Sequence, residues 1–135
     1  MDDCIFCKIV KGEIPSFKIY EDDEVYSFLS IGPANFGHTL VIPKRHSESA
    51  LSMTPDELGE LSKRINIIAK GVKVGSSAQG VNISFNCGKA AGQEVFHTHA
   101  HIIPRLENDE LTNWPEKTYA EGEAEEFAKK IRESL

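Results

Sequence analysis

The stretch Phe96-His97-Thr98-His99-Ala100-His101-Ile102-Ile103-Pro104-Arg105 sets three of the chain's five histidines at alternate positions. Phe96, Thr98, Ile102 and Ile103 favour a strand, and strand side chains alternate between faces. The three imidazoles are therefore expected on one face, about 6.5 Å apart along the strand. Imidazoles that close hold one another in mixed protonation states near neutral pH, which suits acid, base, nucleophile or metal-ligand work. Three successive same-face positions on a straight strand converge poorly on one ion at about 2.0–2.1 Å, so a tris-imidazole metal site is disfavoured.

Working back from this strand, Asn86-Cys87-Gly88-Lys89-Ala90-Ala91-Gly92-Gln93 reads as a loop of small residues. Gly88 and Gly92 let backbone approach a ligand closely, and exposed N–H groups there can hold an anion. A phosphoryl group set against the imidazoles and these amides is a plausible ligand. One imidazole would attack phosphorus in line and carry the phosphoryl or nucleotidyl group. The others would bind equatorial oxygens and protonate the leaving group, with no cofactor needed at the reacting phosphorus.

The rest of the chain supplies the frame. Strands are expected over Phe17 to Tyr20, Glu24 to Leu29, His38 to Ile42 and Val81 to Phe85, with the histidine strand as the fifth. Asp3 is expected to cap a short helix from about Cys4 to Val10, with Gly12 past its end. Thr54-Pro55-Asp56-Glu57 is a helix start with a capping box. Leu58, Leu61, Ile65, Ile68 and Val72 then form one apolar stripe on a helix of about four turns, ended by Gly71 and Gly75. Thr118 and Glu121 offer a second capping box, for a peripheral C-terminal helix over about 118–134 with Ala124, Phe127, Ala128 and Ile131 on its apolar side. Short turns between the strands predict antiparallel pairing in a single α+β domain over 1–135: a sheet of about five strands with one long central helix and a helix near each end.

With 135 residues, 40% hydrophobic and 27% charged, the chain has the composition of an ordinary globular domain. A net charge of −6 and the lack of a basic run argue against nucleic acid as a partner. The acidic start Met1-Asp2-Asp3 and the lack of a long apolar run predict no signal peptide and no membrane span. Three cysteines, an odd number, argue against a disulfide framework and for a reducing, cytoplasmic compartment. Cys4-x-x-Cys7 at a helix start is a common zinc half-site; a redox pair and two separately packed thiols are the alternatives. Cys87 and His38 read as structural residues, Arg105 as either solvated or near phosphate, and Trp114 as an interface aromatic.

His97-Thr98-His99-Ala100-His101-Ile102-Ile103 resembles the motif of the histidine-triad family of nucleotide hydrolases and transferases, His-φ-His-φ-His-φ-φ, where φ is apolar. Thr98 is the one mildly polar departure. The resemblance extends to Ile5-Phe6-Cys7-Lys8-Ile9, Glu13-Ile14-Pro15, the acidic turn Glu21-Asp22-Asp23, Gly37 through His46, Asn86 and Gly92-Gln93. It implies a histidine-triad fold with His99 as the nucleophile and His97 beside it, its carbonyl fixing the His99 tautomer. His101 and Gln93 would contact the α-phosphate or bridging oxygen, and Asn86 the ribose or phosphate. Phe6, Ile9, Phe28 and Ile31 would line a slot for a purine base. It also implies structural zinc on Cys4, Cys7, His46 and His97, and a twofold homodimer.

Two positions depart from the pattern. Ser30 stands where many relatives carry a ribose-binding aspartate, and a serine cannot hold two hydroxyls as a carboxylate does. Glu94 stands where many carry serine or threonine, and an anion there would repel phosphate unless it points away. The expected activity is hydrolysis of nucleoside phosphoramidates or related nucleotidyl compounds, with adenosine the expected nucleoside and AMP the expected product. The rivals are cleavage of dinucleoside polyphosphates and a non-catalytic nucleotide-binding adaptor or sensor.

Overall fold

Two short strands, Val25–Leu29 (β2) and Thr39–Pro43 (β3), carry large apolar residues at successive positions and are buried along nearly their whole length. Strands with that pattern need cover on both faces. A computed structural model describing residues 3–112 and 114–135 shows how the cover is provided. The remaining strands are Lys18–Glu21 (β1), Gly80–Phe85 (β4) and Ala100–Arg105 (β5). They form one antiparallel sheet in the order β1-β2-β3-β5-β4. The helices are Ile5–Val10 (α1), Pro55–Gly75 (α2) and Glu123–Glu133 (α3).

On one face, α2 packs Leu61, Ile65, Ile68, Ala69 and Val72 against Val25, Val41, Ala100 and Ile102. On the other, Phe6 of α1 packs with Tyr26, Phe28, Leu40 and Ile42. Leu40 and Ile42 point into one cluster and Val41 into the other, as the period of two requires. The α+β architecture with five antiparallel strands is the one expected.

The boundaries differ in instructive places. Cys4, not Asp3, caps α1, its Sγ accepting the Cys7 N–H at 3.4 Å. Helix α2 begins as expected, with Thr54 and Glu57 exchanging both capping-box bonds at 3.2 Å. It then runs for 21 residues, about six turns, rather than about four. Gly71 lies inside it: an interior glycine costs about 1 kcal/mol relative to alanine, less than the burial of Ile68, Ala69 and Val72 around it returns. The Thr118–Glu121 capping box does not form. Glu123 accepts the Ala120 N–H at 2.5 Å, and α3 starts after Gly122, which has φ 82°. No α3 residue is buried, and Phe127 and Ile131 are 50% and 60% exposed.

The histidine segment shows the most consequential difference. Regular β5 begins only at Ala100, so His97 and His99 precede it. Among the described residues no helix is long and apolar enough to cross a membrane. Met1 and Asp2, read as an acidic start, lie outside the described residues.

Candidate active site and metal centre

The segment 93–98 lies along the segment 43–48, and the bonds between them explain why the strand starts late. The His97 Nε2–H donates to the Pro43 carbonyl at 2.8 Å. Thr98 donates twice to the Ser47 carbonyl, from N–H at 2.7 Å and from Oγ1–H at 3.2 Å. The Gln93 amide nitrogen donates to the Glu48 carbonyl at 2.7 Å. These bonds replace the ladder pairing that a longer β5 would make, since β3 and β5 pair only from Thr39–Ile102 to Val41–Ala100.

The rings then form a continuous file. Phe6 lies edge-on between His97 and His99, at centroid distances of 5.9 and 5.1 Å. His99 stands 4.9 Å from His101, and His101 stands 5.2 Å from His38. The expected single row of three imidazoles is thus split. His97 turns toward α1, whereas His99 and His101 stay together and gain His38.

Hydrogen-bond logic fixes the tautomers, because a carbonyl only accepts and an amide N–H only donates. His99 Nδ1 lies 2.7 Å from the His97 carbonyl, so it carries the proton and Nε2 keeps its lone pair. His38 Nδ1 accepts the Ala34 N–H at 3.1 Å, so its Nε2 carries a proton and donates to His101 Nδ1 at 3.0 Å. His101 must then be protonated at Nε2, and that buried atom has no partner among the described residues. A bare nucleophilic nitrogen and an unpartnered donor therefore stand on adjacent rings. Burial is the main cause of the lowered pKa of His38 and His99, and it pushes His101 down to about 4, so these rings are neutral at pH 7.

His38 is the group that the sequence reading undervalued. Its signal was parity: Leu40 pairs with His101, so His38, two residues earlier, shares that face and sits diagonally from it.

A second cluster lies at the α1 end of the file. Cys4 Sγ, Cys7 Sγ, His46 Nδ1 and His97 Nδ1 all lie within 4.8 Å of one another. His46 Nδ1 and His97 Nδ1 are 3.2 Å apart, Cys4 Sγ is 3.3 Å from His97 Nδ1, and Cys7 Sγ is 3.4 Å from His46 Nδ1 and 3.5 Å from His97 Nδ1. A tetrahedron with bonds of about 2.0–2.1 Å to nitrogen and about 2.3 Å to sulfur has edges of about 3.3–3.8 Å. The His97 Nε2–H bond to Pro43 leaves Nδ1 as the unprotonated lone pair a cation needs, and fixes the ring plane as well. The residues fit a tetrahedral metal ion and can hold one.

The other expected site residues fall into distinct places. Gln93 is buried, and its side chain is fully engaged with backbone: Oε1 accepts the Gly88 N–H at 2.8 Å, and Nε2 donates to Glu48 and Val95 carbonyls. In this arrangement it braces the loop rather than offering its amide to phosphate. Asn86 faces Gly92, where an added Cβ would stand 3.7 Å from its Nδ2. Phe6 and Phe28 are each 5% exposed and belong to the core, with Ile9 packed against them. Ile31 is 91% exposed on the loop after β2, and the structure does not bring it into that cluster. The Ser30 N–H donates to the His38 carbonyl at 2.8 Å, which sets Ser30 beside the file of rings. Glu94 is exposed, so its charge is solvated. Arg105 is partly exposed and not free for phosphate: Asp109 holds its guanidinium through Nε at 2.8 Å and Nη2 at 3.0 Å, and Asn82 through Nη1 at 2.7 Å. All three cysteines are free thiols.

Comparison with known proteins agrees with this geometry. Residues 11–108 match the HIT domain family model. A crystal structure from Streptococcus mutans superposes with a TM-score of 0.94 at 43% identity, covering 99% of this chain and 86% of that one. A zinc-bound histidine triad family protein from Mycobacterium smegmatis superposes with a TM-score of 0.78 at 39% identity, covering 87% of this chain and 85% of that one. The adenosine 5'-monophosphoramidase HNT1 of Candida albicans is 36% identical over 140 aligned positions, spanning 98% of this chain and 91% of that protein. By its family model, its relatives and its fold, the chain belongs to the HIT domain family.

Proposed function

We propose that this chain is a nucleotide hydrolase that cleaves nucleoside phosphoramidates or related nucleotidyl compounds through a nucleotidyl-His99 intermediate. The observation that carries the reading is the pairing of a bare His99 Nε2 with an unpartnered His101 Nε2–H on the neighbouring ring. His99 Nε2 forms a bond to phosphorus as the phosphorus–nitrogen bond of the substrate breaks. His101 gives its Nε2 proton to the departing nitrogen and recovers one from the water that then attacks phosphorus. The products are an amine and a nucleoside monophosphate, and His99 is restored. Similarity to the Candida albicans phosphoramidase supports adenosine as the nucleoside and AMP as the product. The Asn86–Gly92 loop would face the phosphate, while Ser30 and the Phe6 and Phe28 edges would lie toward the nucleoside.

Zinc is the ion proposed for Cys4, Cys7, His46 and His97, since two thiolates and two imidazoles at tetrahedral spacing suit it. Its contribution would be structural, joining α1 to the 43–48 segment. His97 would then act through its carbonyl and not as an acid or base. A reducing, cytoplasmic location would keep both thiolates available to the ion.

A homodimer is the proposed assembly. β4 is an edge strand with Ile83 49% exposed, and the C-terminal tail leaves Trp114, Tyr119, Phe127 and Ile131 between 50% and 90% exposed. An 11-residue helix is marginal in water by itself and gains stability by covering its apolar side.

Turnover of adenosine 5'-phosphoramidate, followed as AMP release by chromatography, tests the activity. His99→Ala should abolish release while AMP binding persists; near-normal turnover in that variant would refute the mechanism. Faster turnover of a diadenosine polyphosphate would favour the rival hydrolase. AMP binding with no product from either substrate would favour an adaptor.

A further inference from the structure

We infer that Thr98 is a positioning residue: with the Ser47 carbonyl it anchors the peptide plane whose other end orients the nucleophile. The inference rests on the reading of His99 as that nucleophile.

The His97 carbonyl and the Thr98 N–H belong to one peptide unit, which is planar and rigid. At one edge of that plane the His97 carbonyl accepts the His99 Nδ1–H at 2.7 Å. At the opposite edge the Thr98 N–H donates to the Ser47 carbonyl at 2.7 Å. Fixing one edge fixes the direction of the other. The two bonds also run in series through the peptide, so each polarises the next and the electron density at His99 rises.

A ladder bond normally performs this anchoring, but the plane lies before β5 begins at Ala100. A single N–H bond would leave the plane free to swing about the hydrogen-bond axis. The Thr98 hydroxyl supplies a second point of attachment, donating to the same Ser47 oxygen at 3.2 Å. Thr98 is 1% exposed, so neighbours hold its rotamer and water does not compete for the bond. Ser47 follows His46, so the anchor and the candidate metal ligand belong to one short segment. An apolar residue at position 98 would fill the same space but supply no second bond. The polar departure from the motif therefore has a use at this site.

Two pairs of variants isolate the hydroxyl. Thr98→Val removes it at nearly constant shape, with wild type as its reference. Thr98→Ala lacks it and Thr98→Ser keeps it, and neither carries the methyl group. The reading predicts about tenfold lower kcat in Thr98→Val and Thr98→Ala than in their hydroxyl-bearing references, with KM for adenosine 5'-phosphoramidate within twofold. In 15N-histidine spectra of the folded proteins, His99 should move from a single Nδ1-protonated tautomer toward a mixture only when the hydroxyl is absent. Unchanged His99 signals in either hydroxyl-free variant would overturn the inference, as would a loss confined to KM. If wild type fails to turn over the substrate, the proposed function falls, and the spectra alone still decide the role of Thr98.

Discussion

Replacing His38 with leucine removes one ring from the file and leaves its space largely filled. His38 is 7% exposed, accepts the Ala34 N–H and donates to His101 Nδ1. The substitution deletes both bonds: the exposed Ala34 N–H passes to water, and His101 Nδ1 is left without its donor. The unpaired His101 acceptor costs about 1–3 kcal/mol, and the lost bond to Ala34 about 1 kcal/mol at most. Leucine burial offsets part of this, so a net loss of about 2 kcal/mol is expected. A chain of 135 residues has an unfolding entropy of about 0.3 kcal/mol/K, so the melting temperature should fall by about 7 °C. The kinetic effect has a different origin. Without the His38 donor nothing holds the His101 proton at Nε2, and a ring that must reorient forfeits about 1.4–2.8 kcal/mol, or about 10- to 100-fold in kcat. Stopped-time AMP release and a thermal melt measure the two effects separately. A variant within twofold of wild-type kcat would refute the assignment of His38 as the group that sets the His101 tautomer.

The lowered pKa of His101 gives stability a pH dependence. The folded ring titrates near 4 and the unfolded ring near 6.5, so between those values the unfolded chain binds more protons. Stability is complete above pH 6.5 and falls as pH drops toward 4, by at most about 3 kcal/mol from this ring. Urea midpoints at pH 7 and pH 4.5 should diverge more for wild type than for His101→Gln; equal divergence would contradict the burial argument. If the Cys4, Cys7, His46 and His97 cluster holds a metal as proposed, removing one of its ligands should act on folding and metal content together. Cys7→Ser should lower metal content below one ion per chain and the melting temperature by about 10 °C or more, measured by elemental analysis and calorimetry. Full metal content with an unchanged melting temperature would show that Cys7 is not a ligand. At Gly37, φ is 97° and an added Cβ would collide with Ser76 Oγ, so Gly37→Ala should cost about 2–3 kcal/mol in chemical denaturation. A neutral result would mean that the loop before β3 adapts.

The sequence made the frame legible because local signals and burial agree there. Thr54, Pro55 and Glu57 specify a helix start by themselves, and the Leu58–Val72 stripe matches the face that β2, β3 and β5 need covered. Gly75 does end the helix, but Gly71 does not: it signals termination locally, whereas the tertiary contacts of its neighbours carry the helix on. The histidine motif pointed to the right segment, but not to its shape. Alternation implies a strand wherever ladder bonds are available. Here the partners of His97 and Thr98 are the carbonyls of Pro43 and Ser47, and carbonyl acceptors leave no trace in residue identity. The same reason hid the role of Gln93, whose three bonds all go to backbone. The Cys4–Cys7 half-site was legible in its spacing, whereas His46 and His97 were joined to it only through the resemblance. What brings them together is the folding of α1 against β3 and the 43–48 segment, which pattern reading of 4–7 cannot supply.

The central claim is that His99 Nε2 becomes bonded to phosphorus during turnover. Rapid acid-free quenching of the protein with adenosine 5'-phosphoramidate, followed by intact-mass and peptide mass spectrometry, observes that bond directly. The account predicts a transient gain of one adenylyl group, located on the peptide containing His99 and absent in His99→Ala. AMP release with no adduct at any quench time, or an adduct on another residue, would contradict it.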